Sequence, residues 1–157
     1  MFHPFILLWT FLLSQALAFN SSMQTLSSGA YCQQSTESVE LITNEQQWNN
    51  LKRRVPNIGD KSIDFTQHSV LCAFCGQCST GGHAISIEDV EVSQDRRTVS
   101  ATIRYVSPPP DAMVTMALTQ PFHIVLIPQV EYGATLKITK VGKKPRGGGG
   151  SSRLAYM

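Results

Sequence analysis

Thr98–Ser107, TVSATIRYVS, carries the clearest periodicity in the chain. Val99, Ala101, Ile103 and Tyr105 alternate with Thr98, Ser100, Thr102 and Arg104, so an extended strand here has one apolar side and one wet side. Helical period is absent, and the elements on either side repeat the same theme. Upstream, HAISIEDVEV places Ile85 and Ile87 in one phase and Val90 and Val92 in the other. A phase change inside a strand marks a bulge, here near Glu88–Asp89. Gln94–Asp95–Arg96 reads as the polar turn between these two strands.

Further upstream, SVLCAFC is apolar without alternation, as in a strand buried on both faces. Ser38–Thr43, SVELIT, is a shorter strand. Thr43 to Gln46 fits a capping box, and Trp48, Leu51 and Val55 follow at helical spacing, predicting one amphipathic helix over Asn44–Arg54 that ends at Pro56 and Gly59. Downstream, Pro108–Asp111 has no donor to give a ladder over three residues and forms a stiff connection. AMVTMALT alternates with Val114, Met116 and Leu118 and is expected to be a strand. Pro121 breaks it, FHIVLI is a second apolar strand, and ATLKITKV a weaker last one. The expected fold is mainly β (α+β), a single antiparallel domain, sandwich or open barrel-like sheet, with one short helix.

Around that domain, the N-terminus MFHPFILLWTFLLSQALAFN has an apolar run from Phe5 to Leu13 and then Ala16–Leu17–Ala18. This is a signal peptide pattern, residues 1–18, with cleavage expected before Phe19. The run is shorter than the roughly 20 apolar residues of a membrane span. The expected location is therefore the periplasm or the extracellular space, with no span after cleavage. Residues 19–30 read as a flexible N-terminal segment and 31–142 as the β domain. Residues 143–157 read as a flexible Gly/Ser-rich tail that holds Lys143, Lys144, Arg146 and Arg153 and no acid. Of 157 residues the formal net charge is +2. A near-neutral body with a short basic tail lacks the basic face and interleaved aromatics of a nucleic-acid binder.

The 4 cysteines, Cys32, Cys72, Cys75 and Cys78, permit several chemistries. Redox work at Cys75–Gly–Gln–Cys78 needs a helix N-terminus to stabilise the attacking thiolate. STGGHAISI follows instead, with two glycines and a β period. A metal site would draw on Cys72, Cys75 and Cys78 with Cys32 or His83, yet exported thiols oxidise. Two disulfides are the favoured reading. Cα atoms three apart in a strand lie about 10 Å apart, beyond the roughly 7 Å a disulfide tolerates, so Cys72–Cys75 is excluded. Cys75–Cys78 with Cys32–Cys72, or Cys32–Cys75 with Cys72–Cys78, remain. The first is preferred because Gly76 lets a tight turn close the ring.

No catalytic set is expected. His68, His83 and His123 are scattered, Ser69 beside His68 is no triad, and the adjacent carboxylates Glu88 and Asp89 point to opposite faces of a strand. Asp64 is the third carboxylate of this candidate acid–base set. No cofactor is expected.

In order, Asp64–Phe65, the apolar strand ending at Gly76, Thr80–Gly81–Gly82, the turn Pro108–Asp111, Met113–Val114 and Pro121–Phe122 form a set. It resembles the C-terminal domain of the protease-complex subunit PrcB family, over about Gly29 to Pro128, with Trp48 matching an earlier Trp-bearing segment. His83 departs from the family's usual Tyr, and the cysteines at 72, 75 and 78 replace non-cysteine positions. The resemblance implies exported, non-catalytic accessory work beside a secreted protease that it helps to stabilise. A protein partner, an exported protease, is the expectation. The expected contact surface is Thr80, Gly81, Gly82 and His83 with Pro109, Pro110 and Asp111, since glycines allow close backbone approach. Two plainer readings stand beside it: Thr–Gly–Gly only shapes a bend, or the chain is a disulfide-stabilised envelope protein without a protease partner.

Overall fold

A computed structural model describes residues 23–142. The signal peptide and the basic tail expected from the sequence lie outside the described residues.

Seven strands form two sheets. The first holds β1 (Gln24–Gly29), β6 (Phe122–Pro128), β3 (His68–Phe74) and β2 (Ser38–Ile42), in that order and antiparallel throughout. The second holds β4 (Ala84–Val92), β5 (Thr98–Val106) and β7 (Thr135–Val141). One helix, α1 (Glu45–Arg54), follows β2 and leads into a 3-10 turn at Pro56–Ile58. The fold is mainly β, as the alternating patterns imply.

β3 is the centre of the molecule, and its unbroken apolar run is the reason. Val70, Cys72 and Phe74 point to one side and pack with Trp48, Leu51 and Val55 of α1 and with Phe122 and Ile124 of β6. Leu71 and Ala73 point to the other side and join Val125 and Ile127 of β6 against Ile85, Ile87 and Val90 of β4 and Val99, Ala101, Ile103 and Tyr105 of β5. The result is three layers: helix, four-stranded sheet and three-stranded sheet. A strand with a neighbour on each side and a layer on each face needs apolar residues at every position.

β4 and β5 pair antiparallel with the expected bulge, the register shifting between Ile87 and Asp89 so that Glu88 is the extra residue. Glu88 turns outward and forms an ion pair with Arg104.

Four features differ from the sequence reading. β5 and β7 pair in parallel. A parallel pair needs a long crossover, and here the crossover passes through β6 of the other sheet, a tertiary choice that strand periodicity does not encode. Residues 24–29, read as part of a flexible segment, form β1 on the edge of the first sheet. Its side chains are polar except Leu26, and a bulge between Thr25 and Ser27 further masks the period. The N-cap is Asn44, whose Oδ1 accepts from Gln47 N at 2.9 Å. Gln47 Oε1 in turn accepts from Thr43 N at 2.8 Å, so the reciprocal capping lies one residue later than Thr43–Gln46. The fourth difference concerns 112–119, which is not a strand and joins the ladder only through an isolated bridge between Thr119 and Cys78.

Among the described residues no helix is long and apolar enough to cross a membrane.

Candidate functional site

The register brings several strand ends to one end of the sandwich. Phe74 sits opposite Phe122, Gly29 opposite Phe122 on its other side, and Ala84 opposite Val106. The connections 30–37, 75–83 and 107–121 therefore all leave from that end and are bonded together. Cys75 N donates to Pro121 O at 2.9 Å, Gln77 N to Ser35 O at 2.9 Å, and Gln120 N to Ala30 O at 2.8 Å. Cys78 and Thr119 exchange both backbone bonds, at 2.8 and 3.0 Å.

Two glycines make this close stitching possible. Gly76 has φ 78°, and a Cβ there would stand 2.7 Å from Glu37 N. Gly82 also has φ 78°, and its Cβ would stand 3.2 Å from both Pro108 Cβ and Val114 Cγ1. Side chains at such a φ are strained, and at these distances backbone or ring atoms would have to move.

Of the seven residues expected to form a contact surface, the structure joins the two halves indirectly. Gly82 touches Pro108 and Val114 rather than Pro109–Asp111, which form an exposed turn closed by Ala112 N donating to Pro109 O at 3.1 Å. Gly81 N, expected to face a partner, instead donates to Thr115 O at 2.9 Å. Thr80 O accepts from Thr119 Oγ1 at 2.9 Å. Thr80 Oγ1 and His83 Nε2 lie 3.2 Å apart, and His83 Nδ1 is buried without a hydrogen-bond partner. Burial pushes the His83 pKa down. The Thr–Gly–Gly loop thus acts as a seat on which the 107–121 run rests.

That run explains what sequence reasoning missed. Ala112 and Val114 are half-buried, Thr115 and Met116 are both exposed, and Ala117 and Thr119 are then half-buried and buried. The slip at 115–116 turns Met116 and Leu118 out instead of leaving them in phase with Val114. A run lying over a loop, with prolines before and after it, finds few aligned partners for a ladder. Met113 is 103% exposed, Met116 87% and Leu118 56%. Tyr31 and Val106, at the same end, are also exposed; among the described residues Tyr132 is the one exposed large hydrophobic elsewhere. The available signal was Met–Val–Thr–Met–Ala–Leu between two proline breaks, an apolar run with no obvious strand partner.

Charged groups brace this end of the domain. Glu37 Oε1 accepts from Tyr105 Oη at 2.6 Å and from Lys140 Nζ at 2.7 Å, tying the 30–37 connection to the second sheet. Burial and then the Glu37 carboxylate push the Tyr105 pKa well up. On the helix side, Arg54 grips Glu40 at both oxygens, at 2.8 and 2.6 Å, and lies over the Phe74 ring. Burial opposes the Glu40 charge, and the Arg54 bonds overcome it, holding the carboxyl below its ordinary range.

The residues considered for acid–base work are placed in structural roles. Asp64 Oδ1 accepts from Thr66 N and Oγ1 at 2.9 and 2.6 Å, closing its own turn. Ser69 Oγ accepts from Val130 N at 3.1 Å. His123 Nδ1 accepts from Ile87 N at 2.9 Å, so the proton sits on Nε2, 3.0 Å from Thr25 Oγ1. His123 thereby bridges the two sheets at the β4 bulge, and burial pushes its pKa down.

Fold and surface together define a two-sheet β domain with one covering helix and an apolar loop run displayed at one end. Residues 69–128 match the model of the family described as PrcB C-terminal. The match runs from β3 through β6 and takes in both the Thr–Gly–Gly loop and the displayed run, so the resemblance read from the motifs holds over that segment. Asp64–Phe65 and Trp48 fall outside it. No curated protein and no solved structure matches the chain in the corresponding comparisons.

Proposed function

We propose that the protein is an exported, non-catalytic accessory module that associates with a secreted or cell-envelope protease and stabilises it. The observation carrying this reading is the gathering of Tyr31, Val106, Met113, Met116 and Leu118, all exposed, at one end of the domain. Exposed apolar groups scattered singly are ordinary, whereas their concentration at one site marks a contact surface. Methionine suits such a surface, because its flexible thioether side chain fills irregular pockets on a partner. The family match over 69–128 supports accessory work in a protease complex, and the N-terminal apolar run followed by Ala–Leu–Ala supports export.

In this reading the Thr–Gly–Gly loop holds the 112–118 run in place, and the run itself makes the contact. A photo-crosslinking residue placed at Met116 tests it in the organism of origin, with the same residue at Tyr132 as control. An adduct to an exported protease from position 116 and none from 132 is expected. Equal adducts from both positions, or none from 116, would overturn the assignment of the surface.

A further inference from the structure

The four cysteines are sorted by sheet face. Cys72 is fully buried in the helix-side core, and Cys32 packs against that same core. Cys75 and Cys78 both lie in the core between the two sheets. The C-x-x-C-x-x-C spacing is therefore divided by the sheet that carries it. Cys78 Sγ donates towards Cys75 Sγ at 3.7 Å, and among the described residues no three His, Cys, Asp or Glu side chains cluster in a metal-holding arrangement.

The local backbone is already shaped for a bond between Cys75 and Cys78. Gly76 at φ 78° kinks the chain between the two cysteines, and both cysteine amides are held by the segment that leads into β6, at Pro121 O and Thr119 O. Bond formation needs the sulfurs to close from 3.7 Å to about 2.0 Å, a movement within reach of side-chain rotation. Cys72, facing the opposite core, cannot compete for either sulfur.

We propose that Cys75 and Cys78 form a disulfide that acts as a covalent latch on the seat of the displayed run. The latch closes the β3 end onto Cys78, whose backbone bridge to Thr119 anchors residues 112–118. The oxidant is a disulfide donor of an oxidising compartment. Cys75, the acceptor of the S–H···S contact, attacks one donor sulfur as thiolate and expels the first donor thiol. Cys78 then attacks Cys75 Sγ and expels the second. Two electrons pass to the donor, and two protons end on its released thiols. Burial pushes the Cys78 thiol pKa up, so the fully folded thiol pair reacts slowly and the bond forms while the chain is still folding. The latch stands whether or not the displayed run binds a protease.

The test uses the full chain, refolded in a series of reduced and oxidised glutathione buffers, then alkylated and cleaved with trypsin and chymotrypsin. No Lys or Arg lies between Lys61 and Arg96, so cleavage after Phe74 is needed to separate Cys72 from the pair. The expected product is a Cys75–Cys78 peptide lighter by two hydrogens and carrying no alkyl group. Alkylation of both cysteines in the most oxidising buffer, or a bond from either to Cys72 or Cys32, would overturn the proposal. Hydrogen exchange then reads the latch itself: the Cys78 and Thr119 amides should exchange several-fold more slowly in the bonded form. Equal rates in the two forms would reduce the bond to a local link without hold on the run.

Discussion

β3 and the 112–118 run have similar composition and opposite fates. SVLCAF in β3 has neighbours on both sides and layers on both faces, and from Ser69 to Phe74 it is fully buried. AMVTMAL has Met, Val, Leu and Ala in comparable density, yet Met113 and Met116 stand in solvent. Apolar content alone does not bury a segment. A strand must also offer its backbone an aligned partner, because unpaired buried N–H and C=O groups are costly. β3 has two such partners in β2 and β6, whereas the run is flanked by prolines and rests on a glycine-bearing loop. An apolar segment that folding leaves uncovered is available for another molecule.

That contrast can be broken in stages. The largest loss of stability is expected on the β3 side. Trp48 is fully buried against β3 and donates its Nε1–H to Lys61 O at 3.0 Å. Trp48→Ala should cost about 3–5 kcal/mol, as for other large core truncations, measured by urea unfolding. A loss under 1 kcal/mol would show that the helix layer is dispensable.

Gly82→Ala acts at the junction of the two regions. The new methyl would press on Pro108 and Val114 at a φ of 78°, with an expected cost of about 1–3 kcal/mol. Faster amide exchange at Gly81, which bonds Thr115 O, should accompany it. Unchanged exchange would mean the run does not depend on its seat.

A smaller effect, read by pH, tests the bridge between the sheets. His123, held below its ordinary pKa by burial, binds fewer protons folded than unfolded between the two values, so stability rises with pH across that window. The contribution is complete above about pH 6.5 and is lost as pH falls from there towards the folded value. Protonation also removes the acceptor for Ile87 N–H. Chemical unfolding across that range should show the slope, with His123→Gln flattening it. His83, shifted the same way, leaves a residual slope. A wild-type profile flat below pH 6.5 would contradict the assignment.

Met113→Ser with Met116→Ser should scarcely move stability, within about 0.5 kcal/mol as for other exposed positions, while abolishing any contact made through the run. A loss above 2 kcal/mol would place these side chains in the folded core.

Much of this architecture was legible. The strict alternation at Val99–Tyr105, the unbroken run at Val70–Phe74 and the spacing of Trp48, Leu51 and Val55 each report burial directly, so β5, β3 and α1 fall where they were expected. β1 was hidden because an edge strand made of Gln, Thr and Ser carries almost no period, its place coming from pairing with β6. The alternation of Val114, Met116 and Leu118 misled for a different reason. Val114 faces inward to meet Gly82, and the slip at Thr115–Met116 sends the later residues out. Thr80–His83 and the proline turn were found from their glycines and prolines, which mark backbone shape. Met113, Met116 and Leu118 were not, because sequence does not state whether an apolar residue will find cover.

The most direct measurement of the central claim, that the uncovered run is a docking surface for a protease, is binding of the full chain to the exported protease trapped from position 116. Wild type and the Met113→Ser, Met116→Ser double variant are compared at matched stability. At least a tenfold weaker affinity for the variant is expected, equivalent to about 1.4 kcal/mol. Equal affinity of the two proteins would contradict the account.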